Sequence, residues 1–168
     1  MCGALGSLLL LWSEIERSTR EEVLFLNEGG VAPKPGYGFA ALLREWDKRV
    51  IAKHPSGSAP ALLASALTGE LRKAQKIRNA LCHRLDGISA SQEEKPAALT
   101  WRTANGTGRI TWPELQISFH RLSKYPRAMS ILSRYDAMNF DRMRLDDAEN
   151  RQWWFDEFGL SVSAPQTG

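Results

Sequence analysis

Cysteine is scarce in this sequence, and the two that occur, Cys2 and Cys82, stand at the chain start and inside a helical pattern. Such a pair makes no disulfide framework, which points to a reducing, cytoplasmic setting. No Cys and His residues stand at zinc-ligand spacing, so neither a metal nor another cofactor is expected. Long apolar runs are missing as well. Leu8-Leu9-Leu10-Leu11-Trp12 falls far short of the ~20 residues that span a bilayer, no basic residue precedes it, and Glu14, Glu16 and Arg17 follow at once. It reads as the start of a buried helix, and no membrane association is expected. Internal repeats are absent. Neither sign of charge dominates: 22 basic and 19 acidic residues leave a net charge of +3. A mildly basic chain permits a polyanionic partner without demanding one.

What is present is ordinary globular material, 168 residues of which 43% are apolar, enough for one core without staples. Leu5, Leu8, Trp12, Ile15, Thr19, Val23 and Leu26 recur at steps of three and four, which predicts a helix over 5–26. Asn27-Glu28-Gly29-Gly30 stops it, and the Pro- and Gly-bearing stretch 31–38 is a loop. Leu42, Leu43, Trp46 and Val50 give a second helix over 39–53, ended by the Pro- and Gly-rich stretch 54–60. A third helix over 61–85 carries Leu63, Leu67, Leu71, Ala74, Ile77, Leu81 and Leu85, with Asp86-Gly87 as its stop. Residues 88–98 read as a polar loop. Residues 99–103 and 109–112 flank Asn105-Gly106 and predict a hairpin. Pro113 suits the first turn of a fourth helix reaching about residue 135, with Thr111 as its cap. A last helix spans 145–158. The whole is one all-α domain over 1–160, a bundle of about five helices with a small β-hairpin inserted, followed by a flexible tail over 161–168.

The chemistry concentrates in Lys76-Ile77-Arg78-Asn79-Ala80-Leu81-Cys82-His83, late on the third helix. With ~100° of turn per residue, Arg78 falls within ~40° of the centre of the apolar stripe. A permanently charged guanidinium beside a core needs a partner or a function. The first helix offers one, because Glu16 intrudes on its apolar face in the same way, ~40° from the centre. Two pairings are open to Glu16: Arg78 across the helices, or Arg20 four residues on in the favoured order. Asn79 and His83, four apart, share one face. His83 in the last helical turn feels the negative end of the dipole, and a histidine there is suited to proton transfer.

An Arg followed by Asn and, after three more residues, a His, near the end of a bundle helix, resembles the signature of the HEPN family. Arg78-Asn79-Ala80-Leu81-Cys82-His83 fits it without a gap, and Trp12-Ser13-Glu14-Ile15-Glu16-Arg17 is similar to the family's first helix. The resemblance covers residues 5–87. It implies a HEPN-like bundle and a metal-independent endoribonuclease, active as a homodimer in which two motifs form one site. RNA would be the substrate, and the protein a toxin with an antitoxin protein as partner, or a phage-defence effector. Carried over by position, Arg78 would stabilise charge on the scissile phosphate and His83 would transfer protons. Asn79 would orient one of them and Glu16 would hold Arg78, while Lys76 and Arg84 would add RNA contacts. Where some members carry a Tyr two residues after the His, this chain has Leu85, so modification at that position is not implied. The alternative within the same resemblance is a non-catalytic module that binds nucleotide, RNA or protein.

Plainer roles compete at each position. Arg78 and His83 also suit a helix end simply as basic residues complementing the dipole. Cys82 points ~100° away from His83 and reads as a buried, inert thiol. Trp153, Trp154, Phe155 and Phe158 at helical spacing read as core, and Trp101 and Trp112 as a cross-strand pair. Arg121, Lys124, Arg127, Arg134, Arg142 and Arg144 read as a solvated face, or as a phosphate-tracking surface, since no acid interrupts 120–135.

Overall fold

The apolar stripes of the sequence become the inner faces of five helices. The computed structural model describes residues 2–27, 38–91, 95–138 and 140–163. In chain order these form α1 (Cys2–Phe25), α2 (Phe39–Lys53), α3 (Ala59–His83), β1 (Leu85–Ser89), β2 (Ala98–Thr103), β3 (Gly106–Thr111), α4 (Trp112–Met138), a short 3-10 turn at Asp141–Met143, and α5 (Ala148–Phe158). The fold is mostly helical, with a small three-stranded antiparallel sheet in the order β1-β2-β3. The expected stop at Glu28-Gly29-Gly30 and the loop over 31–37 lie outside the described residues.

In α1, Leu8, Trp12, Ile15, Thr19 and Val23 are buried at the predicted spacing, and α1 packs against α4 and α2. Thr19 is accommodated because its hydroxyl donates to the Ile15 carbonyl at 2.7 Å, which satisfies it without leaving the helix. Leu42, Leu43, Trp46 and Val50 of α2 are buried, and the Trp46 indole N–H donates to Ser133 Oγ of α4 at 2.9 Å. The aromatic run of α5 divides as a helix requires. Trp154 and Phe158 are fully buried, Trp153 packs at the margin, and Phe155 faces outward. Glu22 is a buried charge of α1, tied to the Arg134 guanidinium at 3.2 Å, which also stacks over Phe25.

Several helix ends fall a few residues from the sequence expectation, among them α5, which begins at Ala148 rather than 145, and three differences have a clear local reason. Pro60 lies inside the first turn of α3 rather than before it, where its missing N–H breaks no helical bond. Asp86-Gly87 is not a helix stop but the middle of β1. That strand pairs with β2 through Leu85↔Trp101, Gly87↔Thr100 and Ile88↔Leu99, with a bulge between Leu85 and Gly87. Leu85 therefore leaves the helix stripe and is exposed. The hairpin loop is Ala104-Asn105, and Gly106 is the first residue of β3, at φ 133°. That backbone conformation strains any residue with a Cβ.

Trp101 does not pair with Trp112. Its cross-strand partner is Gly108, where an added Cβ would lie 2.3 Å from indole atoms, so the ring covers the glycine backbone. Trp112 begins α4. Thr111 caps that helix as expected and does so reciprocally with Glu114, whose carboxylate accepts from the Thr111 N–H and hydroxyl, both at 2.7 Å. These bonds hold the Glu114 carboxyl below its ordinary range, the backbone bond first. Beyond α5, Leu160 is buried and Val162 packs against the core, while residues 164–168 lie outside the described residues. Among the described residues, no helix is long and apolar enough to cross a membrane.

Candidate functional site

The last two turns of α3 carry every basic residue of the motif, and the packing of α3 on its neighbours sorts them to two sides. Arg78, at the edge of the apolar stripe, turns toward α1. Its guanidinium Cζ sits 5.4 Å from the centre of the Trp12 ring, and Nη2 lies 3.5 Å from Glu16 Oε1. The same carboxylate oxygen accepts the Trp12 indole N–H at 2.7 Å. Arg78 Nη1 donates to the Asn79 Oδ1 at 2.9 Å. Three groups thus surround the Arg78 head: a π face, an anion and an amide oxygen. Its Nε is buried without a hydrogen-bond partner.

Of the two pairings open to Glu16, the structure makes the one with Arg78. Among the described residues, Arg20 makes no ion pair. Sequence reasoning placed Glu16 but missed Trp12, which was read only as a core residue. The signal was there in the i to i+4 spacing of Trp12 and Glu16, which lets an indole on the inner face donate to a carboxylate at the edge.

On the outward side of α3, Lys76, Asn79, Ala80, His83 and Arg84 line one open depression. His83 is exposed in the final turn, and Arg84 follows as the helix cap, its N–H donating to the Ala80 carbonyl at 2.8 Å. Among the described residues, no carboxylate lies within ion-pair distance of Lys76, His83 or Arg84, so the depression presents positive charge without internal neutralisation. Asn79 joins the two sides, since it lines the depression and accepts from Arg78. The six residues singled out from the sequence thus fall in two sets, Glu16 with Arg78 toward α1 and Lys76, His83 and Arg84 on the outward side, with Asn79 common to both. An arrangement of this kind can hold an anion and offer an imidazole beside it.

Cys82 is exposed, not buried. It stands ~100° round the helix from Leu81, and the Leu81 side of the turn is the one that faces the core. The second basic set is largely neutralised in space. Lys124 and Arg127 both reach Glu157 of α5, at 2.9 and 3.2 Å, and Arg134 is held by Glu22. Arg142 donates to the Asn150 side chain. Among the described residues, Arg121 and Arg144 make no ion pair. Among the described residues, no three of His, Cys, Asp and Glu gather at metal-binding distance.

No protein-family model matches the chain, and the comparisons with curated proteins and with solved structures give no match.

Proposed function

We propose that this protein is a HEPN-type endoribonuclease, active as a homodimer, with a site composed of Arg78 and His83 from two copies. The observation that carries the reading is an exposed His83 in a depression with Lys76 and Arg84 and no acid in its lining, joined through Asn79 to the clamped Arg78 on the α1 side of the same helix. Glu16 and Trp12 restrain the guanidinium from behind, and Asn79 fixes its Nη1 edge. A restrained cation stabilises developing charge better than a free one, because less reorganisation is needed when the charge appears.

The reaction requires no more than these groups. The ribose 2′-hydroxyl attacks the adjacent phosphorus, and the bond from phosphorus to the 5′-oxygen breaks. A histidine accepts the hydroxyl proton or delivers one to the leaving oxygen. The products are a 2′,3′-cyclic phosphate and a 5′-hydroxyl. Arg78 stabilises the charge on the non-bridging oxygens, and Lys76 and Arg84 bind flanking phosphates. Exposed apolar residues border the motif, Leu85 and Ile88 on β1, and they supply apolar surface for a second copy. The biological setting that suits such an enzyme is a toxin restrained by an antitoxin protein, or a phage-defence effector.

The test is cleavage of a labelled RNA pool in EDTA by wild-type, Arg78→Ala and His83→Ala proteins, with end-group analysis. Wild-type protein is expected to cut and leave cyclic phosphates. His83→Ala should lower the rate about 10²- to 10⁴-fold, the usual contribution of a positioned acid or base. RNA bound in a salt-dependent manner but left intact by all three would replace the enzyme with a non-catalytic RNA-binding module.

A further inference from the structure

A second, partly open cavity lies on the other side of Arg78, lined by α1, α3, β3 and α4, with a volume of about 210 Å³. Its floor is hydrocarbon: Ile77 of α3, Ile110 of β3, and Leu115 and Leu122 of α4. Its cations are Lys73, Arg78 and Arg121, against a single carboxylate, Glu70. Glu70 is already engaged by Lys73 at 2.7 Å, so that pair is balanced. Arg121 is exposed and, among the described residues, has no carboxylate partner. Arg78 has Glu16 only at 3.5 Å, and because its Nε is covered by protein its Nη groups are the ones that meet a ligand.

We infer that this cavity binds a small hydrophobic monocarboxylate, its apolar body on the Ile77, Ile110, Leu115 and Leu122 floor and its carboxylate between Arg78 and Arg121. Size supports this. An apolar cavity of about 150 Å³ accepts a benzene ring, so 210 Å³ accommodates a ring or short branched chain with an acid arm. Charge supports it too, because the two guanidiniums exceed the acids available to them, and a guanidinium pairs with a carboxylate through two parallel bonds. The lining offers little to the edge of a nucleobase: the Ser118 hydroxyl already donates to the Glu114 carbonyl and Glu70 is held by Lys73, which leaves the Tyr125 hydroxyl. The inference stands without any ribonuclease activity, and its test contains no RNA.

The experiment is calorimetric titration of the full chain with phenylacetate, its neutral isostere phenylacetamide, and adenosine monophosphate, alongside side-chain Nε–H spectra of Arg78. Phenylacetate is expected to bind with one-to-one stoichiometry and to shift the Arg78 Nε–H resonance as the adjoining Nη groups gain a carboxylate. Phenylacetamide should bind at least about tenfold more weakly. Arg121→Gln, a change at an exposed position, should weaken phenylacetate by a similar factor while leaving the unfolding temperature unchanged. Equal affinity for acid and amide would overturn the inference. So would an unaffected Arg121→Gln, no saturable binding of phenylacetate at millimolar concentration, or binding of the nucleotide alone.

Discussion

Glu16 has two partners, and replacing it by glutamine or by alanine separates them. One oxygen, Oε1, accepts the Trp12 indole at 2.7 Å and lies 3.5 Å from Arg78 Nη2. Glutamine keeps an oxygen for the indole and removes the charge. The charge pair is long, and its side chains are 25% and 39% exposed, so its loss should cost about 0.2–1 kcal/mol. Alanine also removes the acceptor. Trp12 is 2% exposed, and an orphaned buried N–H adds about 1–3 kcal/mol. For a chain of this length each kcal/mol moves the melting temperature by roughly 2–4 °C. Glu16→Gln should therefore shift it by no more than about 4 °C, and Glu16→Ala by clearly more. Denaturant unfolding on both variants, and on Trp12→Phe with Glu16→Ala, measures the indole part directly. The Phe ring has no N–H to strand, so the second change should cost less in the alanine background than in wild type. Equal destabilisation by glutamine and alanine would refute the reasoning, since the charge and not the indole bond would then carry the cost.

Two further outcomes follow from the buried polar groups. Ser133→Ala strips the acceptor from the fully buried Trp46 indole and should cost about 1–3 kcal/mol in denaturant unfolding followed by fluorescence; a change within about 0.5 kcal/mol would contradict the bond. Burial first, and the nearby Glu70 carboxylate second, push the Tyr125 hydroxyl up to about 12 from its ordinary 10.0. Because the folded value is the higher one, the stability that Tyr125 contributes is fully present below pH 10 and is lost as pH rises through about 12. Absorbance titration of tyrosinate should show one late step that Tyr125→Phe removes, and a single step complete before pH 11 would contradict it.

The helical frame was legible because each stripe faces one core: Trp12, Ile15 and Thr19, or Leu63, Leu67 and Leu71, stand where a period of 3.6 puts them. The pairing of Glu16 with Arg78 was legible only as one of two, since Arg20 stands four residues on in the favoured order, and the structure decides between them. The first strand was not legible. Leu85-Asp86-Gly87-Ile88-Ser89 has weak strand propensity, and its conformation comes from pairing with β2, a non-local contact. Cys82 was misread because its burial was taken from the general preference of cysteine for interiors, whereas its wheel position is ~80° from the centre of the α3 stripe, at the edge of the apolar face. The cavity behind Arg78 was invisible for another reason. Its walls come from four elements, and no segment of sequence contains it.

The chain leaves α3 directly into the sheet, and the Arg84 carbonyl accepts from the Arg102 N–H at 3.1 Å. A helix end with a free exit frays, opening at a free energy near zero. Here the exit is moored, and opening the His83 turn means disturbing β1 and β2 as well. The tie sits at Arg102, only two residues before the Ala104-Asn105 tip, so the hairpin reaches back to the motif helix at its own far end. β1 is exposed at every position but Gly87 and bulges between Leu85 and Gly87, so its hold on the helix exit rests on backbone hydrogen bonds rather than on a buried face. The small sheet thus serves the motif as a backbone anchor, indifferent to which side chains β1 carries.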